Sequence, residues 1–187
     1  MNKRLMNQSL ITRCLVLVTM LASAPLLVAT SMVPVSVETL TGSAELIMQG
    51  RATRSWSAWN AQHSLIYTYT EFTVDRTLKG SAGKVVVKQL GGSIDRVTQH
   101  VSGIRYWQAG EEAVLFLRVS EANDNTHVVV GLTQGAFRVE RLSSGEVRVS
   151  NGAPEVQFFE AGKEPSVAQP KPMTLKDLEM RIRKASQ

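Results

Sequence analysis

The chain has 187 residues, enough for one domain with appendages, and carries 21 Lys and Arg against 16 Asp and Glu. Three of the basic residues (Lys3, Arg4, Arg13) and none of the acidic ones fall in residues 1–31, so the remainder is nearly balanced at 18 against 16. That balance argues against nucleic-acid binding by charge, and the lone cysteine, Cys14, leaves the chain beyond it without disulfides, thiolate nucleophile or cysteine-bound zinc.

Residues 1–31 read as a secretory signal peptide: a basic start, then the almost wholly apolar run Cys14–Ala29, then small residues. Cleavage is expected between about Ala29 and Val33, because Pro25 disfavours the earlier Ala22-Ser23-Ala24 box. An uncleaved anchor is the alternative reading of the same run. No second apolar run of spanning length follows, so the expectation is export to the periplasm or beyond, with no membrane span after cleavage.

Residues 32–150 read as one β-barrel domain. Ser36–Leu40 predicts a short helix with Ser36 as N-cap and Gly42 as its end. Ala44–Ala52 predicts a strand bent near Gly50, and Arg54–Ser64 a strand end running into a loop. Leu65–Leu78 alternates with period two, Ile66, Thr68, Thr70, Phe72 and Val74 on one face and Tyr67, Tyr69, Glu71 and Thr73 on the other. Lys79–Gly83 turns the chain into a strand over Lys84–Leu90, which Gly91-Gly92 breaks. That glycine pair marks a bulge or close backbone approach, or offers free amides to an anion.

Ser93–Gly110 is a long polar loop without periodicity, of the kind that often carries function. Ala113–Leu117 is a continuous apolar run and reads as a central strand. Strands over Thr126–Leu132, Ala136–Leu142 and Glu146–Ser150 follow, the last two joined by the Ser143-Ser144-Gly145 turn. Residues 151–173, rich in Pro, Gly, Glu and Lys, read as a linker or strap. Residues 174–187 hold an amphipathic helix capped by Thr174, with Asp177 at the capping-box position and Leu175, Leu178 and Ile182 on one side.

The series Ala44-Glu45-Leu46-Ile47-x-x-Gly50, Phe72-x-Val74-x-x-x-Leu78-Lys79-Gly80, Gly91-Gly92 and Gly110-Glu111-x-x-Val114-Leu115-Phe116-Leu117 resembles a family of uncharacterised exported bacterial proteins. Its members show Ala-Asp-x-Ile-Val-x-Gly, Leu-Lys-Gly, Gly-Gly and Gly-Glu-x-Val-Leu-Phe-Leu in that order. Here Glu45 replaces the usual Asp and Ala52 an expected Val, and the likeness spans about Ser36 to Val139. More distantly the order is similar to the netrin-like and metalloproteinase-inhibitor domains. Those are OB-type barrels that lean on disulfides, and the inhibitors reach zinc through an N-terminal cysteine, a device this chain lacks. The resemblance therefore implies a fold and no activity. The expected fold is mainly β, an OB-like barrel of five to seven strands with a short N-terminal and a C-terminal helix.

No catalytic or metal constellation stands out. His63, His100 and His127 have no ligand spacing, and nothing calls for a cofactor. Two functional readings follow. The first is a non-enzymatic envelope binding module, with Tyr67, Tyr69, Arg96, His100, Arg105, Tyr106 and Trp107 forming an aromatic and basic patch for a protein segment or an anionic glycan. Tyr67 and Tyr69 either stack on such a ligand or pack beneath a terminal helix. The second is a periplasmic hydrolase using Asp95 and His100.

Overall fold

The computed structural model describes residues 30–122, 124–152, 156–158 and 172–187. The leader up to Ala29 and most of the predicted 151–173 strap lie outside the described residues. In chain order the elements are β1 (Thr30–Met32), α1 (Val37–Ser43), β2 (Leu46–Trp59), β3 (Ile66–Lys79), β4 (Lys84–Leu90), β5 (Gly92–Ile94), β6 (Val97–Gln99), β7 (Glu112–Val119), β8 (His127–Val129), a short 3₁₀ turn (Leu132–Gly135), β9 (Ala136–Arg141), β10 (Val147–Ser150), β11 (Val156–Phe158), β12 (Met173–Thr174) and α2 (Leu175–Ala185).

Five of these strands close a barrel in the order β7-β2-β3-β4-β8 and back to β7. All contacts around it are antiparallel except β4 with β8, which run parallel and meet at one pair, Val87 with His127. This is the OB-type order, so the predicted fold class holds, with five strands in the barrel of the five to seven expected. Strand β7 makes the closure possible by dividing one edge between two partners. Leu117–Val119 pairs with β8, while Ala113–Leu115 pairs with β9. From β9 the sheet runs outward through β10 to β12, away from the barrel. β1 and β11 form a separate parallel pair.

The continuous apolar run of β7 has a simple cause: both of its faces are buried. One side of Leu46, Met48, Phe72, Val85, Val87, Leu115 and Leu117 fills the barrel. The residues between them, Ile47, Val114 and Phe116, point outward and are covered by α1 and α2 through Leu40, Leu178 and Ile182. The helices are capped as their sequences dictate. Ser36 accepts from the Thr39 N–H at 3.1 Å, and Thr174 accepts from the Asp177 N–H at 3.1 Å. Arg181 of α2 clasps Glu38 of α1 with two 2.8 Å bonds. Lys79 at the end of β3 donates to Thr41 O at 2.8 Å, a cation at the C-terminal end of α1. No helix among the described residues is long and apolar enough to cross a membrane.

Two sequence expectations need correction. Arg54–Trp59 does not run into a loop; it is the second half of β2, paired residue by residue with β3 from Arg54–Glu71 to Trp59–Ile66. Its polar, serine-rich composition hid a strand. Ser93–Gly110 is not a structureless loop either, since it opens with the β5–β6 hairpin.

A basic groove along an open strand edge

The β2–β3 hairpin outreaches the rest of the barrel. β7 accompanies β2 from Leu46 to Arg51, and the last bonds between them run from Ala52 N–H to Glu111 O and from Gly110 N–H to Ala52 O. Beyond that point the chain before β7 peels away. A groove of about 680 Å³ opens between Thr53–Ser57 on one side and Tyr106–Ala109 on the other, with Thr68, Gly92 and Ser93 closing it.

The two faces of the hairpin differ here. On the inner face a row of hydroxyls replaces the apolar core: Ser55 bonds Thr70 at 3.1 Å, Ser57 bonds Thr68 at 3.2 Å, and Thr68 donates to Gly91 O at 2.7 Å. Gly91 and Gly92 make this packing possible. Both have positive φ, and a Cβ on Gly92 would lie 2.3 Å from Thr68 Oγ1 and 2.6 Å from Ser57 Oγ. On the outer face Trp56 stacks on Tyr69 with centroids 5.6 Å apart, and the Arg54 guanidinium lies 4.6 Å from the Trp56 centroid. Lys88 sits 4.6 Å above the Tyr67 ring and 5.8 Å from that of Tyr69. Its Nζ donates to Asp124 at 2.7 Å, a bond that raises the Lys88 ammonium and pulls the Asp124 carboxyl down to about 2. Tyr67 and Tyr69 are thus on the barrel exterior, against Trp56 and Lys88 rather than under a helix.

Charge collects beside the groove in a regular way. Glu71 faces Lys84 and Arg54, Glu111 faces Arg105 and Arg138, and Glu112 faces Arg51 and Arg141. Three carboxylates therefore serve six cations. The carboxylates are recessed, Glu112 with 7% of its side chain exposed, while Arg51, Arg54, Arg138 and Arg141 are each half or more exposed. Burial by itself raises the Glu112 carboxyl, but hydrogen bonds from Arg141 and Gln49 outweigh it and hold the group ionised below its ordinary range. Arg51, Arg138 and Arg141 also line a second depression of about 490 Å³, which shares Ala109 with the groove. The exposed sum is positive.

The structure distributes the sequence-predicted residues differently from the single patch expected of them. Trp107 is a core residue, 2% exposed, its ring edge-on to Phe72 at 5.4 Å; it plugs the barrel end and shows the groove little more than an edge. It is anchored there because the interior at that level holds hydroxyls and needs one large ring to fill it. Tyr106 lines the groove and donates its hydroxyl to Leu90 O at 2.7 Å. Arg105 bonds Glu111 at 2.9 Å and clips the loop to the start of β7. Arg96 and His100 are exposed on or beside the β5–β6 hairpin and do not line the groove. Asp95 sits in that hairpin's turn with φ of 52°, and no hydrogen bond or ion pair joins it to His100. His63 stacks on Trp59, and burial lowers the His127 imidazole below its ordinary value. Among the described residues no group of three or more His, Cys, Asp or Glu is placed to hold a metal ion.

Sequence reasoning missed Arg54, Ser55 and Ser57; Trp56 is legible there as a partner of Tyr67 and Tyr69 in the richest aromatic cluster of the chain. A signal was available: the hydroxyls and aromatics of this segment alternate with period two and mirror Tyr67–Thr70 across the hairpin. A third concavity, about 360 Å³, lies where β4 and β8 diverge and is lined mainly by apolar groups around Tyr67, Leu90, Ile104, Val128 and Leu132. Lys88, Arg118 and Glu121 stand at its rim. No protein-family model matches the chain, and no curated protein does.

Proposed function

We propose that the chain is an exported binding module that captures an anionic partner, a protein segment or an acidic glycan, in the groove beside the β2 edge. The observation that carries this reading is the surplus of exposed arginine over recessed carboxylate spread from Arg54, in a groove that also presents Trp56 and Tyr106, to Arg51, Arg138 and Arg141 in the depression that adjoins it at Ala109. Arginine and aromatic side chains offer large contact area at modest entropic cost and dominate binding energy where they cluster. The basic leader and apolar run support export, and the resemblance to exported bacterial proteins points the same way.

Trp56, 38% exposed in the groove, reports occupancy through its fluorescence. Titration with polyglutamate and with oligogalacturonate is expected to change that signal, with polylysine inert. The response should weaken as ionic strength rises from about 0.05 to 0.5 M, because screening shortens the reach of exposed charge. Replacing Arg51 and Arg54 together by Ala should remove it. A response that ignores both salt and these arginines would overturn the reading. N-terminal sequencing of the exported form tests the leader, a new terminus between Ala29 and Val33 being the expected result.

A further inference from the structure

The open edge of β2 has a definite hydrogen-bonding phase. Asn60 N–H donates to Leu65 O at 2.8 Å, which makes Asn60 and Leu65 a bonded pair of the antiparallel ladder. Bonded and non-bonded pairs alternate along such a ladder, and the register runs without a shift from Arg54–Glu71 to Trp59–Ile66. Trp56 and Ala58 therefore spend their backbone groups on β3, whereas Ser55, Ser57 and Trp59 direct theirs to the other side. Ile66 agrees with this phase: its carbonyl accepts from Gly91 N–H at 2.7 Å, away from β2. On the side to which Ser55, Ser57 and Trp59 point, β7 has already ended its pairing at Arg51, and no strand among the described residues takes its place.

Proteins usually blunt an exposed edge with proline, an inward charge or a covering element. Thr53–Trp59 contains no proline, its one charge, Arg54, lies over the Trp56 ring, and the facing segment Tyr106–Ala109 stands across a groove rather than against the strand. We infer that the groove takes an extended acidic peptide segment of a partner protein, which adds to the Ser55–Trp59 edge as a further strand in line with β7. The inference rests on the groove being the binding face and names the class of partner.

Strand addition supplies affinity through main-chain bonds and specificity through alternate side chains. Residues of the incoming strand on the inner face meet Ser55, Ser57 and Ser93, where small hydroxyl-bearing side chains fit. Those on the outer face meet Arg54 and Trp56, with Arg51 further along, where carboxylates fit. A second copy of this chain is the less suitable occupant. Antiparallel edge-to-edge pairing centred on Ser57 would set Arg54 of each copy opposite Asn60 of the other, and Arg51–Asn60 contains no carboxylate to answer either arginine.

The test is amide hydrogen exchange by NMR on the labelled protein, with an eight-residue peptide of alternating Thr and Glu as probe. Exchange at Ser55, Ser57 and Trp59 should slow about tenfold or more at saturation. The same peptide N-methylated at alternate residues, and one of alternating Thr and Lys, should give no protection. Ser57→Pro removes an N–H that the chain's own ladder does not use together with the hydroxyl bonded to Thr68, and Ser57→Ala removes that hydroxyl alone; both should remain folded, the proline variant losing the peptide and the alanine variant keeping it. A shift of Trp56 signals without protection of the three amides, or protection by oligogalacturonate alone, overturns strand addition and leaves the groove as the binding face. Protection that appears without peptide and grows with protein concentration overturns it in favour of a second copy. No response to any acidic probe ends both readings.

Discussion

The two halves of the β2–β3 hairpin share a backbone and differ in almost everything else. From Leu46 to Ala52, β2 lies between β3 and β7, with Leu46, Met48 and Ala52 in the barrel and Ile47 under the helices. From Thr53 to Trp59 it has β3 alone, with hydroxyls inside and an aromatic–cation stack outside. The first half is where apolar burial holds the fold together. The second has little apolar area to bury and survives because it is an extension of a strand already fixed. An element that contributes little to stability is free to carry recognition.

Two tryptophans measure this contrast most sharply. Both line the same groove, yet Trp107 is 2% exposed and Trp56 is 38% exposed. Trp107→Ala is expected to cost about 3–5 kcal/mol in a urea or thermal unfolding experiment, since it empties the barrel end beside Phe72. Phe116→Ala, on the helix-covered side, should cost a similar amount, about 3–5 kcal/mol. If Trp107→Ala unfolds no more easily than the parent, the barrel end is not closed by that ring.

Next in size is Gly92→Ala. The residue has φ of 135°, and its Cβ would press on the hydroxyls of Thr68 and Ser57. A cost of about 1–3 kcal/mol is expected, together with a loss of probe binding as the inner wall shifts. Trp56→Ala should show the reverse balance. Its stability change stays within about 1 kcal/mol, the range of an exposed aromatic pair, while binding of the Thr–Glu peptide falls. A large stability loss there would make the distal hairpin part of the core after all.

Much of the barrel and its helices could be read from the sequence because the causes are local. Alternation in Ile66–Val74, the unbroken run Ala113–Leu117, and the caps Ser36 and Thr174 each follow from burial or from unpaired helix amides nearby. The open edge could not be read that way. It exists because β7 stops pairing at Arg51, a fact set by residues some sixty positions on, and no pattern within Thr53–Trp59 records it. Trp107 was misleading for a related reason. It stands in an aperiodic polar segment, where a tryptophan looks exposed, and only the closure of the barrel turns it inward. The pairing of six cations with three carboxylates likewise joins β2, β3, β4, β7 and β9 with the loop before β7, and adjacent charges in the sequence do not reveal it.

The smallest expected effect lies on the helix-covered side and is a matter of pH. Two hydrogen bonds from Arg181 lower the Glu38 carboxyl from 4.5 to about 2. A carboxyl that is more acidic when folded than when unfolded adds stability above its unfolded pKa, and that stability fades as pH falls through the folded value. The α1–α2 clasp should therefore act fully above about pH 4.5 and be gone below about pH 2. Both side chains are about half exposed, so solvent screening holds the contribution to about 0.2–1 kcal/mol. Glu38→Gln should lower the melting temperature slightly at pH 7 and match the parent at pH 2. The groove should not notice at pH 7, because Glu38 and Arg181 belong to the two helices and none of the groove's lining residues does. A fall in Thr–Glu peptide affinity in Glu38→Gln at pH 7 would mean that the two halves of the hairpin are coupled, and that the open edge depends on how firmly the helices clamp the sheet beneath it.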